Sequence, residues 1–214
     1  MLPIRGMAET YLSVFGGPSL SLMQDIKSRT FDENGARTNV KMLGTETSLR
    51  FKEGLKLTHF FPSNFGIEGE FFHGQVVSSI DTTGDGNVDT SFKQERYSFM
   101  LFLVFRQKVN HAKVASVYGG MGTGGIYSDF GNVAKDWGYA GQFFSGMNFD
   151  VRGNLFIEAK YIWAPDVGGD NTSPGTHLKV SGNPKNNLAT HLFGPHHDTQ
   201  ILSLVIGTRF KVGD

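Results

Sequence analysis

The stretch LFIEAKYIW, residues 155–163, decides the fold. Leu155, Ile157, Ala159, Tyr161 and Trp163 form one row, and Phe156, Glu158, Lys160 and Ile162 form the other. Period-two alternation places these rows on opposite faces of a strand. A sheet in water hides its apolar row and wets its charged row. Here the apolar row ends in Tyr and Trp, and the identity of the solvent on each side becomes the question.

Seven further segments alternate: about 10–22, 42–61, 65–79, 92–109, 113–128, 136–151 and 200–212. In the first, Leu12, Val14, Leu20 and Leu22 oppose Ser13, Ser19 and Ser21. In the second, Leu49, Phe51, Leu55 and Leu57 oppose Arg50, Lys52, Lys56 and Thr58. In the third, Phe65, Ile67 and Phe71 oppose Glu68 and Glu70. The fourth centres on Phe99, Leu101, Leu103 and Phe105, and the sixth sets Trp137, Tyr139, Phe143, Met147 and Phe149 against Gln142, Asn148 and Asp150. The last sets Leu202, Leu204, Ile206 and Phe210 against Ser203, Gly207, Arg209 and Lys211. The segment 113–128 is so rich in glycine that its facing stays open.

The connections sort by length. Pro62-Ser63-Asn64, Asn110-His111-Ala112 and Arg152-Gly153-Asn154 are short and built from turn formers. Those at roughly 23–41, 80–91, 129–135 and 164–199 are long. Short turns at one end and long polar loops at the other are the pattern of a transmembrane barrel. The fold class expected is therefore all-β, an eight-stranded antiparallel up-and-down transmembrane β-barrel. It occupies 1–214 as one domain, with residues 1–9 as a short N-terminal extension.

Composition agrees. Gly 28 and Phe 19 against a hydrophobic share of only 39% suit strands and tight turns. Lys plus Arg and Asp plus Glu number 20 each, which gives no reason to expect nucleic acid as a partner. There is no cysteine, which excludes a disulfide framework and thiolate metal sites. No apolar run reaches the roughly 18 residues of a membrane helix. The start, MLPIRGMAET, lacks the apolar core of a secretory signal, so an exported chain would be read here in its mature form.

With strands and loops placed, the chain resembles the small eight-stranded outer-membrane barrels, the superfamily that includes the OmpA transmembrane domain, OmpX and OmpW. TYLSVFGGPS resembles that family's first strand, FGIEGEFFHG its third and SVYGGMGTGG its glycine-rich fifth. The final VIGTRFKV resembles the strand signal read by the barrel-assembly machinery, with Val212 where an aromatic is usual. The resemblance implies a bacterial outer-membrane location. It also implies lipid and lipopolysaccharide as neighbours and the assembly machinery as a partner during biogenesis.

Lipid outside puts the apolar rows on hydrocarbon and the charged rows in the lumen. Trp137, Tyr139, Tyr161 and Trp163 then belong to the interfacial girdles. The lumen row gathers Arg50, Lys52, Lys56, Glu68, Glu70, Glu158, Lys160, Arg209 and Lys211. Opposite charges on neighbouring strands are expected to pair there, because an unpaired charge in a narrow lumen costs several kcal/mol. The same facing predicts that arginine costs far more at Leu204 or Ile157 than at Ser203. Glu53 breaks the pattern, standing in an apolar row, and either a bulge at Gly54 or a place near the headgroups would accommodate it.

Other chemistry is sparse. In DTTGDGNVD, residues 81–89, Asp81, Thr83, Asp85, Asn87 and Asp89 fall at alternate positions of a calcium loop, with Gly86 at the turn. Phe92 stands where the bidentate acid belongs, and a polar hairpin loop explains the same residues. Calcium is thus the one cofactor the sequence raises. His191, His196, His197 and Asp198 could ligate a transition metal, although a solvated loop accounts for them. His59 and His73 lack a sequence-adjacent nucleophile, and Gly119 to Gly125 lack the Lys-Ser/Thr of a phosphate loop. The expected function is a structural or surface-interaction barrel without catalysis. The alternatives are a narrow channel for small hydrophobic solutes, as an OmpW-like barrel would be, and a soluble lipocalin-like binder.

Overall fold

The computed structural model describes the backbone of residues 8–31, 37–41, 49–80, 90–111, 114–129, 135–149, 154–167, 178–182 and 189–213. Side chains are described for 8–20, 50–75, 95–109, 116–129, 137–149, 154–165 and 200–212. The candidate calcium loop lies outside these residues, as do the side chains of His191, His196, His197 and Asp198.

Eight long strands form an antiparallel meander: β1 (Glu9–Phe31), β3 (Leu49–Phe60), β4 (Phe65–Ile80), β5 (Thr90–His111), β6 (Val114–Asp129), β7 (Lys135–Phe149), β8 (Leu155–Val167) and β10 (Ala189–Gly213). The first and last strands pair through Leu12↔Phe210 and Leu20↔Leu202, which closes the barrel. Two short strands, β2 (Arg37–Lys41) and β9 (Leu178–Gly182), add hairpins to β1 and β10 at the long-loop end. The sequence reading ended the first segment near 22 and began the last near 200. Both continue, with Ile26↔His197 and Lys27↔Lys41 still in register. Polar stretches give no alternation signal, yet their backbone groups extend the ladder. Glu9, assigned above to the N-terminal extension, already belongs to β1.

Facing follows parity. The outer wall carries Leu55, Leu57, Ile67, Phe71, Phe99, Leu101, Leu103, Phe143, Leu204 and Ile206, all exposed, Leu103 at 70%. A continuous apolar belt of this kind is incompatible with water. Only a closed barrel or a helix satisfies its backbone in hydrocarbon. The inner wall holds the charged row and sealed aromatics, which is the reverse of a lipocalin, so that alternative is excluded. Trp137, Tyr139 and Trp163 face outward as the girdle reading requires, joined by Tyr97 and Tyr127.

The glycine-rich strand also resolves. Gly120, Gly122 and Gly124 alternate with outward Met121 and Thr123. A Cβ at Gly122 would meet the Leu101 carbonyl at 2.1 Å and the Phe102 ring at 2.5 Å. The missing side chain is therefore the space the Phe102 ring occupies. At the short-turn end, Asn64 takes a positive φ of 67°, and its carbonyl accepts from the Arg106 amide at 2.9 Å. Asn tolerates that left-handed conformation better than most residues.

Pairing is not uniform around the barrel. β3 and β4 pair from Phe60↔Gly66 only as far as Lys52↔Gly74, and β7 and β8 from Asn148↔Phe156 only as far as Gly141↔Trp163. Beyond these rungs, among the described residues, Gln75 to Ile80 pair only with β5. Two seams thus open toward the long-loop end among the described residues.

Candidate functional site

Halfway along the lumen, parity points Lys52 and Lys56 inward from β3, Glu68 and Glu70 from β4, and Glu158 and Lys160 from β8. All six are at most 2% exposed. They form one chain of alternating sign. Lys52 lies 3.7 Å from Glu70, and Glu70 pairs with Lys160. Lys160 lies 3.0 Å from Glu158, Glu158 pairs with Lys56, and Lys56 lies 3.7 Å from Glu68. Three ammonium and three carboxylate groups leave no net charge, the arrangement that a low-dielectric lumen demands.

Neutral donors complete it. The Tyr118 hydroxyl donates to Glu158 at 2.6 Å, Thr58 to Glu68 at 2.6 Å and the Gln142 amide to Glu70 at 3.4 Å. Each ammonium also sits over an aromatic face: Lys52 at 3.6 Å from the Phe72 centroid, Lys56 at 4.4 Å from Phe156 and Lys160 at 4.3 Å from Phe15. Such cation–π contacts gain strength where water is excluded. Above the cluster the inward row is mixed: Ile126, Ala140, Ile162, Ala164 and Ile201 are buried beside Arg96, Ser98 and Ser128.

Six of the nine residues read from the sequence as lumen charges meet here, and three do not. Arg50 has the inward parity but is exposed near the long-loop end of β3. Lys211 is exposed at the opposite end. Arg209 is buried yet joins no ion pair among the described residues; its guanidinium stands 4.8 Å over the Tyr118 ring. Lys52–Glu70 and Lys56–Glu68 pair across the neighbouring strands β3 and β4, as expected, and two further pairs cross the lumen. Lys56 reaches Glu158 across the barrel, and Lys160 reaches Glu70 likewise. In a barrel this narrow, long side chains meet over the axis. Tyr118, Thr58 and Gln142 carried no charge signal in the sequence, though their inward parity could have placed them.

The outer wall contains the misfit. Glu53 faces outward without a bulge, since Phe15↔Gly54 and Glu53↔His73 are in unbroken register. Its Oε1 lies 3.5 Å from His73 Nδ1, and His73 Nε2 lies 3.8 Å from Glu95. His73 stacks on Tyr97 at 4.8 Å, and Tyr97 donates to Glu95 at 3.0 Å. This is a polar and aromatic girdle at the edge of the apolar belt, the headgroup alternative for Glu53. Lower on the wall, Thr10 Oγ1 lies 2.9 Å from His59 Nδ1, a hydroxyl–imidazole contact that sequence adjacency could not show.

An eight-stranded closed barrel with an apolar belt and a charged interior defines a transmembrane β-barrel of the outer-membrane type. Among solved structures, the chain is similar to the outer membrane protein OprG of Pseudomonas aeruginosa, at 17% identity and a TM-score of 0.52, covering 98% of this chain and 100% of that one. It is also similar to Neisserial surface protein A, at 10% identity and 0.47, covering 96% and 100%. A third similarity is to the outer membrane protein AlkL in lipid bilayers, at 17% identity and 0.46, covering 96% and 92%. No family model and no curated protein matches the chain.

Proposed function

We propose that the protein is an integral barrel of the bacterial outer membrane that performs no catalysis and serves as a sealed structural or surface-interaction element. The six-residue charge chain carries this reading. It occupies the lumen at mid-height with every member buried, and an ion crossing would have to break pairs that no water replaces. The short turns and both termini then face the periplasm, and the long loops face outward, where a surface partner would meet them. Lipopolysaccharide and lipid surround the belt, and the barrel-assembly machinery inserts the chain.

Proteoliposome swelling tests the seal. Vesicles carrying the protein should swell in arabinose no faster than lipid alone, whereas rapid swelling removes the reading. Intact cells treated with protease should be cut within 164–199 and spared at Ser63. The opposite pattern inverts the topology.

A second reading rests on the two seams. Buried Ile162 and Ala164 give the upper lumen an apolar flank where β7 and β8 part above Gly141↔Trp163, so a small hydrophobic solute could leave sideways above the plug. Ala164→Trp would fill that exit. Uptake of an apolar solute that falls in this variant supports side passage, and uptake equal to the wild type discards it.

A further inference from the structure

The short-turn end of the lumen contains a cavity of about 250 Å³. Arg106, Lys108, Arg209 and Lys211 line it, and among the described lining residues Glu9 is the one carboxylate set against Arg106, Lys108 and Arg209. That carboxylate is already committed: Glu9 Oε2 lies 2.5 Å from Arg106 Nη1, and its Oε1 lies 3.8 Å from Lys108 Nζ. Arg209 is only 3% exposed. Three rings cage its guanidinium, Tyr118 at 4.8 Å and Tyr11 and Phe156 at 5.4 Å each. Rings satisfy the face of a guanidinium, whereas its N–H groups point in the plane and need oxygen acceptors. Arg209 Nε and Nη2 and Arg106 Nε have none among the described residues. The nearby Glu158 is held by Lys56, Lys160 and Tyr118.

One acceptor in the cavity is likewise unmatched. Asn148 donates from Nδ2 to Ser116 at 2.8 Å, and its buried Oδ1 receives no donor among the described residues. The cavity therefore combines an excess of positive charge, orphaned in-plane donors and one orphaned acceptor. Hydrogen phosphate, or a phosphate monoester bound as its monoanion, supplies what each lacks: oxygens for the guanidinium groups and a hydroxyl for Asn148. We propose that this mouth of the barrel is a binding site for a small phosphate-bearing anion, with Arg209 as its principal counter-charge. The site adjoins the mid-lumen charge chain through Tyr118 and Phe156, but its ligand enters from the short-turn end and its binding does not depend on whether that chain seals the barrel.

The test is calorimetric titration of the full chain, in non-ionic detergent at constant ionic strength, with inorganic phosphate, sulfate and chloride. Phosphate should bind saturably and more tightly than sulfate, which at neutral pH offers no hydroxyl. Arg209→Gln should weaken phosphate at least about tenfold. Lys108→Gln combined with Lys211→Gln changes only exposed rim residues, leaves the aromatic cage intact, and should weaken it about threefold or more. Phosphate that binds no better than chloride overturns the proposal. So does unchanged affinity in the rim pair, which settles the matter even where Arg209→Gln fails to fold. Competition by dihexanoylphosphatidic acid, a lipid phosphate monoester, would identify a lipid head as the source of the phosphate group, and its failure a soluble phosphate compound.

Discussion

Glu53 and Lys56 stand three residues apart on β3 and face opposite sides of the same wall. Both have partners of complementary character, His73 for Glu53 and the Glu158 and Glu68 carboxylates for Lys56. The Glu53 side chain is 65% exposed at the girdle, and that of Lys56 is fully buried over the barrel axis. At the girdle, water and headgroups can take over either group, so the contact is optional. Inside, nothing replaces a lost partner, so the pairing is obligatory. The facing of a residue, rather than its charge, decides what its ion pair is worth.

The sharpest way to break that contrast is Glu158→Ala. It leaves Lys56 with Glu68 alone and Lys160 sharing Glu70 with Lys52, two carboxylates for three ammonium groups, and barrel stability should fall by about 3–5 kcal/mol, read from urea unfolding in micelles. Leu204→Arg, which puts a charge into hydrocarbon at the level of the plug, should cost about 2–4 kcal/mol in the same assay. Tyr118→Phe removes one hydrogen bond to a buried carboxylate and should cost about 1.5–3 kcal/mol. At the girdle, Glu53→Gln should change stability by no more than about 1 kcal/mol. A Glu53→Gln penalty as large as that of Glu158→Ala would erase the distinction between the two faces.

Much of this was legible in the sequence because facing needs only parity. The rows of LFIEAKYIW and LRFKEGLKL already separated lipid from lumen, and the belt and the buried charges fall where those rows put them. Partner choice was not legible. Lys56 and Glu158 are 102 residues apart, and only barrel curvature brings them over one axis. Glycine carries no parity signal, so β6 could be faced only once Phe102 and Phe144 were seen covering Gly122 and Gly120. One expectation reverses. Lumen facing alone makes arginine far cheaper at Ser203 than at Leu204 or Ile157, yet Ser203 is 2% exposed and directly opposite Lys160. An arginine there meets a filled interior and a like charge, so its penalty should approach that of Leu204→Arg. Arg50 and Lys211 show the limit of parity from the other side: they occupy the lumen row, but at its ends, where water reaches them.

The central claim is that the buried charge chain closes the lumen, and planar-bilayer recording tests it most directly. Single wild-type barrels should show no steady conductance above the bare membrane, and Glu158→Ala should introduce a measurable leak. A large, steady wild-type conductance that Glu158→Ala leaves unchanged would contradict the account.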